Sequence, residues 1–462
     1  MVSFQEAQEI VLAQARSFGT EDILLDGAFG RVLAEPIRAD RDYPPFPRAT
    51  MDGYALRYAD LERGVRRFRV VETVFAGMEA AARIGSGECY KIMTGAAVPQ
   101  DADMVIRRED VKEGERADVE KGERADVEKG ERADVKKGER ADVEKGEKAD
   151  VGKGERADVE KGERADVEKG EREGMKEGEM VMEVGMKDPE PWRPYLKIAR
   201  QGEDIKAGEV VIEKPCRCDP AVMGLLATLG RSTVTVARGP QIGLITTGNE
   251  VVKPGDAISP VQIRNSNLWM LLGALRGEHL GLRWYTHVGD DRGQVMRTIE
   301  RFLDLDVLIV TGGVSAGDAD HVPQVLGELG VRRLFHKIAM RPGKPTWCGV
   351  SPRGGMVFAL PGNPFSCLVN FALLIAPYLH ACLGLGRAAP ISLPLREARK
   401  KRTTLDEFFP VRMEGAPAML SQLPLNGSGD IRLGMQANAL ALHPAGSGDL
   451  AAGAEAAFYS FV

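Results

Sequence analysis

Apolar positions along the chain change their period several times, and each change marks a new element. Near the start, Phe4, Ile10, Val11 and Ala15 recur at a loose helical spacing, and Gly27 and Gly30 mark a turn after it. Asp42-Tyr43-Pro44-Pro45-Phe46-Pro47 reads as a proline-stiffened extended linker. Between 66 and 110, short β-like runs at 68–74 and 89–93 alternate with glycines, which predicts a small β domain. β-like sequence resumes at Tyr195-Leu196-Lys197-Ile198. From Gln241 apolar strands at 242–247, near 284–288, at 307–311 and at 356–360 alternate with helical stretches at 268–276, 293–303 and 366–379. That order predicts a parallel sheet with helices on both faces. After Pro390 short β runs return with Gly and Pro punctuation, as at 411–413 and 439–442, predicting a small β-barrel or sandwich. The expected fold class is α/β plus β: multidomain, with a central α/β domain, a β-rich domain before it and a small C-terminal β-barrel.

One stretch obeys neither period. From Val111 the unit V-E-K-G-E-R-A-D recurs eight times with small changes, and a decayed ninth copy ends at Met182. Eight residues turn a helix about 80° past two full turns, so the valines never form a stripe. As a strand, Val would share its face with Lys, Glu and Ala, and a glycine in every unit weakens both forms. Residues 111–182 therefore read as a solvated insert that cannot offset its ordering entropy. A marginal hairpin meander and a docking array are the alternatives. The insert interrupts the last hairpin of the small β domain, where lengthening a loop costs little.

Composition narrows the function. The 462 residues are 43% hydrophobic and 28% charged, an ordinary globular balance. The net charge is −6, of which the eight units carry −5, so no general polyanion binder is indicated. Aromatics at 6% do not build stacking platforms for nucleic acid. No apolar run reads as a membrane helix, the best, 368–379, being broken by Asn370 and Pro377. The first ten residues lack a signal-peptide layout, and six cysteines make no disulfide framework. A cytoplasmic protein without nucleic-acid or membrane partners is expected.

In an open α/β sheet, ligands bind outside the carboxyl ends of the strands. Loops at 246–250, 311–320 and 361–364 leave such ends. In the middle one Gly312, Gly313, Ser315 and Gly317 allow an anion close to the backbone, and Asp318 and Asp320 suit a hard cation such as Mg²⁺. Strand-to-helix turns use Gly and Asp anyway; with Glu250 and Asp290 also at strand ends, the binding reading prevails. Lys337, Arg341 and Lys344 form a cationic cluster suited to phosphate or an oxyanion, or else a solvated surface. Met51-Asp52-Gly53-Tyr54 reads by itself as a turn. Cys216-Arg217-Cys218 lacks a second pair and the six histidines lack ligand spacing, so zinc is not expected. No side chain has the surroundings of a covalent nucleophile.

Together the segments PPFPRATMDGYAL, KIMTGAAVP, RQGEDIKAGE, TTGNEVVKPGD, VTGGVSAGDAD, MRPGKP and LPGNP resemble, in order, the molybdopterin molybdenumtransferases: the MoeA proteins and the E domain of gephyrin. The likeness covers nearly the whole chain outside the repeat. It implies an elongated homodimer of four-domain subunits that takes adenylylated molybdopterin and molybdate, uses Mg²⁺ and releases AMP. Tungstate is a second oxyanion to consider. The resemblance implies domain I at 1–40 and 200–238, domain II at 41–199 with the insert, a molybdopterin-binding domain III at 239–386, and domain IV at 387–462. Asp52 and Thr94 would come from domain II across the dimer, and Asp204 from the hinge. Glu250, Asp290 and Asp320 would be the acids of the cleft, with Glu250, Asp318 and Asp320 at the metal, and Lys337, Arg341 and Lys344 its cations. Gly312, Gly313, Ser315 and Gly317 would approach the cofactor, Pro361 and Pro364 would shape the loop beneath it, and Arg412 and Ser428 would hold the oxyanion. Asn249 stands where an Asp is common, Thr50 where Ser is, and Arg341 where Lys occurs. A molybdopterin adenylyltransferase is the expected partner. Two alternative readings are that the chain is itself such an adenylyltransferase, or a partner-binding scaffold.

Overall fold

The computed structural model describes residues 1–115, 180–185, 191–314, 321–386, 389–430, 432 and 436–461. The chain divides into two compact units, one made of 1–38 and 210–462 and the other of 39–209.

The smaller unit is built on a six-stranded sheet in the order Met104–Arg107, Gly53–Leu56, Glu88–Ile92, Arg67–Val74, Met180–Val184, Val111–Glu115. Strand alternation sorts its side chains onto two cores. Ala55, Val74, Tyr90 and Ile92 fill one, and Tyr54, Leu56, Phe68 and Cys89 fill the other. Gly53 is fixed by crowding, because a Cβ there would lie 1.9 Å from the Ile106 carbonyl oxygen. The expected strand at Tyr195 to Ile198 is mostly a turn. Tyr195 and Lys197 have φ of 63° and 55°, and only Ile198–Ala199 pairs as a strand, with Arg48–Ala49.

The two ends of the repeat belong to this sheet. Val111–Glu115 and Met180–Val184 pair antiparallel, with Val111 opposite Val184 and Glu115 opposite Met180. Met182 is fully buried against Phe68 and Leu196. The insert reading therefore narrows to 116–179, which lies outside the described residues. Excising 116–179 is expected to leave the melting temperature within about 2 °C, whereas excising 111–182 removes the buried Met182, all of Val111–Glu115 and most of Met180–Val184. The second deletion should cost about 2–5 kcal/mol, the scale of a buried Met truncation or more, and thermal unfolding of the two deletions side by side checks this.

In the larger unit, helix Phe4–Leu12 begins with a capping box between Ser3 and Glu6. Its buried face, Phe4, Ala7 and Val11, packs into the main core, where Phe4 meets Phe408 edge-on with centroids 4.8 Å apart. A four-stranded sheet joins Thr20–Leu24, Thr233–Ala237, Val32–Leu33 and Cys216–Arg217.

The central sheet runs Leu282–Val288, Ile242–Thr247, Val307–Thr311, Met356–Leu360, Trp347–Val350, Arg332–His336. The first four strands are parallel, as expected, but Trp347–Val350 runs against them and pairs antiparallel with both Met356–Leu360 and Arg332–His336, so the sheet is mixed. Chain length explains the difference. Only residues 351–355 join Trp347–Val350 to Met356–Leu360, enough for a hairpin and too few for a parallel crossover. Both faces are covered. Leu244, Ile309 and Phe358 pack on one side with Leu271, Leu275 and Leu374, while Ile245, Val310 and Val357 pack on the other with Val295, Ile299 and Val325.

The apolar helical run Pro364–Cys382 is longer than expected, and by length and composition it could cross a membrane. It is instead a core element of this unit, with Leu373, Leu374 and Leu379 buried. Asn370 and Pro377 do not break it, because the turn Phe371–Ile375 is a π-helix and Pro377 falls in the first turn of Ala376–Cys382. The C-terminal sheet orders Met340–Arg341, Asp406–Glu414, Ala439–His443, Glu455–Ser460 and Ile391–Pro394, with Met419–Gln422 paired to Asp406–Glu414. All six cysteines are free.

Candidate functional site

The parallel strands Ile242–Thr247, Val307–Thr311 and Met356–Leu360 end together, and the loops that leave them open onto a cleft of about 1250 Å³. That is more room than an ordinary small-ligand pocket of about 300–1,000 Å³.

The first loop is held from both sides. Asn265, which caps helix Ser266–Gly277, donates through Nδ2 to Thr246 Oγ1 at 2.8 Å. Asn249 N–H donates to Asp290 Oδ2 at 3.0 Å, and Asp290 N–H donates to Asn249 Oδ1 at 3.1 Å. Asn249 thus accepts as a carboxylate would, without a second negative charge beside Asp290. Glu250 is exposed at the cleft wall and its carboxylate leans over Gly248.

Gly312 and Gly313 are required by geometry. Their φ values are 92° and 66°, and a Cβ on Gly312 would lie 2.5 Å from Thr247 Oγ1, one on Gly313 2.9 Å from Val322 Cγ2. Gly312→Ala is expected to cost about 1–3 kcal/mol from strain, tested by thermal melting.

The third loop is tied to the C-terminal sheet. Asn363 Nδ2 donates to Ser428 Oγ at 2.8 Å, and the Phe365 N–H donates to the Ser428 carbonyl at 3.1 Å. Asn267 Nδ2 donates to the Gly362 carbonyl at 2.7 Å, and Cys367 Sγ to the Pro361 carbonyl at 2.9 Å. A fourth wall comes from 340–345, where Gly343 has φ 94° and Arg341 and Lys344 are exposed to the cleft. The strand Met340–Arg341 pairs parallel to Asp406–Glu414, with Arg341 opposite Glu407.

The cleft therefore gathers Glu250, Asp290, Gly312, Gly313, Arg341, Lys344, Pro361, Pro364 and Ser428. Ser315, Gly317, Asp318 and Asp320 lie outside the described residues. Lys337 is not part of the lining; its φ is 73° and its backbone bonds Thr346 and Val2. Arg412 is also not part of the lining, being exposed opposite Ser421 in the C-terminal sheet. Asp52, Thr94 and Asp204 belong to the other unit. There Asp52 Oδ1 accepts from the Thr94 hydroxyl at 2.6 Å and amide at 2.7 Å, bonds that hold the Asp52 carboxyl below its ordinary range.

Sequence reading missed Asn265, Asn267, Trp269, Arg399, Arg402 and Glu407, all of which line the cleft. The first three share a helix start, a legible signal beside a cleft. The others sit in a charged run that reads as solvated surface.

Carboxylates and cations both line the cleft, Glu250, Asp290 and Glu407 among the first and Arg264, Arg341 and Lys344 among the second. Among the described residues no group of three or more His, Cys, Asp or Glu converges as a metal cage. Glu250 and Asp290 offer hard oxygen donors at the strand ends, which fits Mg²⁺ as it is usually held, by one or two carboxylates plus substrate phosphate and water.

A profile for the MoeA N-terminal region (domain I and II) matches residues 2–230, and one for a probable molybdopterin binding domain matches 243–381. The chain is similar to the molybdopterin molybdenumtransferase of Synechocystis sp., 28% identical over 435 residues, covering 93% of this chain and 92% of that one. It is 29% identical over 369 residues to that of Bacillus subtilis, covering 79% and 71%. The crystal structure of a molybdopterin biosynthesis MoeA protein from Pyrococcus horikoshii superposes with a TM-score of 0.70 at 30% identity, covering 100% of this chain and 99% of that one.

Proposed function

The chain belongs to the MoeA family of molybdenum cofactor biosynthesis, and from that premise we propose that its cleft inserts molybdate into adenylylated molybdopterin with release of AMP. The observation that supports the reading is that one cleft holds both kinds of charge, the carboxylates Glu250 and Asp290 where Ile242–Thr247 and Leu282–Val288 end and the cations Arg341 and Lys344 in the segment 340–345. A ligand bearing a phosphoanhydride and meeting a second dianion needs both.

Gly312 and Gly313 let the ligand approach the backbone at the end of Val307–Thr311. Arg341 and Lys344 offset the negative charge of the phosphates and of molybdate, a repulsion that grows as water is excluded. Ser428, through Asn363, fixes the loop beneath the ligand. Glu250 and Asp290 would hold Mg²⁺, with Asp318 and Asp320 as further donors; when bound, the ion supplies charge to the departing phosphate oxygen. The dithiolene sulfurs of the ligand bind the metal of the oxyanion, so the protein needs no nucleophile of its own.

The same reading includes tungstate as a competing oxyanion, a homodimer with Asp52 and Thr94 at the partner's cleft, and an adenylyltransferase that supplies the substrate. A cytoplasmic setting suits six free thiols. The four-domain division stays part of the proposal, and closure of the C-terminal sheet into a barrel is supported by an isolated bridge from Leu395 to Leu420. The match over 2–230 favours this reaction over a lone adenylyltransferase. Anaerobic incubation with adenylylated molybdopterin, Mg²⁺ and molybdate or tungstate should release AMP only when oxyanion is present. Formation of adenylylated molybdopterin from ATP instead would reject the reading.

A further inference from the structure

The helical run Pro364–Cys382 is apolar enough to cross a membrane, yet its first segment, Pro364–Asn370, buries polar side chains in the core. Asn370 is fully buried, and so is Cys367. A buried amide is tolerated only where its hydrogen bonds are satisfied. Asn370 meets that condition with two partners. Its Nδ2 donates to the Ser366 carbonyl one turn earlier at 2.8 Å, and its Oδ1 accepts from the Thr346 hydroxyl at 2.8 Å. An aliphatic side chain would serve the core as well, so the use of the amide lies at its far end, on Thr346.

Thr346 is itself fully buried and follows the segment 340–345 directly. Its hydroxyl also lies 2.7 Å from the Gly343 carbonyl, so its single proton is shared between that oxygen and Asn370 Oδ1. The Thr346 N–H donates to the same carbonyl at 3.2 Å, and the Lys344 carbonyl accepts the Ile338 N–H at 2.8 Å. Gly343 completes the fit, because a Cβ on it would lie 2.5 Å from Asn370 Nδ2. The helix amide thus fills the space beneath the loop that a side chain at 343 would take. On the same helix Cys367 donates to the Pro361 carbonyl at 2.9 Å, and burial pushes its thiol pKa up, which keeps the proton on sulfur. Asn370, Thr346 and Cys367 are not part of the cleft lining, whereas Gly343, Lys344 and Pro361 are.

Resting on the cofactor-assembly reading above, we propose that Asn370 and Thr346 are positioning residues, a buried polar clasp by which the core helix fixes the backbone of 343–346 and with it the reach of Lys344 into the cleft. Cys367 holds the loop at Pro361 to the same helix, so one rigid element sets the separation of two walls. A loop already held in place binds without further ordering. A loop released from the helix must be ordered by the ligand, which weakens ground state and transition state alike. The clasp therefore acts on saturation and not on the chemical step.

The test compares Thr346→Val, which keeps the shape and removes the hydroxyl, with Thr346→Ser, which keeps the hydroxyl, both in the full chain. A buried hydrogen bond contributes up to about tenfold in an equilibrium constant, so Thr346→Val should raise half-saturating adenylylated molybdopterin about three- to tenfold. The maximal rate of AMP release should stay within about twofold. Thr346→Ser should recover most of the loss. Asn370→Leu should act like Thr346→Val, and the double variant should be no worse than either, since both break one bond. Amide hydrogen exchange gives a readout without substrate: 343–346 should exchange faster in Thr346→Val and at the unaltered rate in Thr346→Ser, with 307–311 unchanged in both. Unchanged half-saturation in folded Thr346→Val, a loss that Thr346→Ser does not recover, or a fall in maximal rate alone, as a smaller folded fraction gives, overturns the assignment. If exchange at 343–346 responds as expected while the unaltered chain releases no AMP, the clasp stands and the assembly reaction falls.

Discussion

Replacing Glu250 by Gln is expected to lower AMP release roughly a hundredfold while leaving the chain folded. The Glu250 side chain is exposed and makes no hydrogen bond among the described residues, while its carbonyl accepts the Ile263 N–H at 2.8 Å, a backbone contact that an isosteric neutral side chain leaves in place. What it loses is an anionic oxygen, the donor a hard cation prefers. Two Mg²⁺ concentrations distinguish the causes. Weakened metal binding predicts partial recovery at the higher one, and rates equal to the unaltered enzyme at both would remove Glu250 from the mechanism. Asp290→Asn should be milder, because an amide oxygen can still accept the Asn249 N–H. Asp320→Asn should resemble Glu250→Gln, unless Asp320 serves only as a helix cap, a task Asn performs equally well.

Glu407→Ala should have the largest effect on stability. Removing one partner of a buried ion pair typically costs about 3–5 kcal/mol, because the other charge stays buried. Here Arg399 would be stranded, and the amides of Arg402 and Thr403 would lose their acceptor. Thermal unfolding reads the loss, and Glu407→Gln should recover part of it.

The pair also has a pH signature. Burial by itself would raise the Glu407 carboxyl, but the Thr403 hydroxyl, the Arg402 and Thr403 amides and the Arg399 charge together hold it below the ordinary carboxylate range. A carboxyl lowered in the folded state stabilises above its unfolded pKa, and that contribution is lost as pH falls through the lowered folded value. The stability advantage of the unaltered chain over Glu407→Gln should therefore shrink with acid below about pH 4.5, the ordinary carboxylate value. An advantage that stayed constant down to the acid transition would show that the Glu407 charge contributes nothing.

The parallel core was legible because three buried strands, Ile242–Thr247, Val307–Thr311 and Met356–Leu360, read as short apolar runs with helices between them, while Leu282–Val288 is an exposed edge strand of mixed residues. The last two strands were not, since nothing in the composition of Trp347–Val350 announces its direction; the short connection to Met356 does, and only once both strands are placed. Tyr195 to Lys197 looks like a strand by residue type, yet two left-handed residues turn it aside. Pro377 interrupts the apolar run in the sequence yet falls in the first turn of Ala376–Cys382, where a proline is tolerated. In the cleft, Glu250, Asp290, Gly312, Gly313, Pro361 and Pro364 lie together at the ends of the parallel strands. Arg402 and Glu407 did not stand out, because a charge run shows neither which member is buried nor which carboxylate claims its neighbours.

The pairing of Glu115 with Met180 carries a consequence for how such a chain can be altered. The two ends of the insert are neighbours on adjacent strands, about 5 Å apart as any such pair must be. Whatever leaves at one end and returns at the other satisfies that spacing, whether it holds one octapeptide or many. Whole units can then be gained or lost between generations without shifting a core residue of the domain, and selection on the domain's fold has no grip on their number. For the experimenter the same doorway accepts an affinity tag, a fluorescent protein or a cross-linking cassette, spliced in where the lineage has already spliced its own.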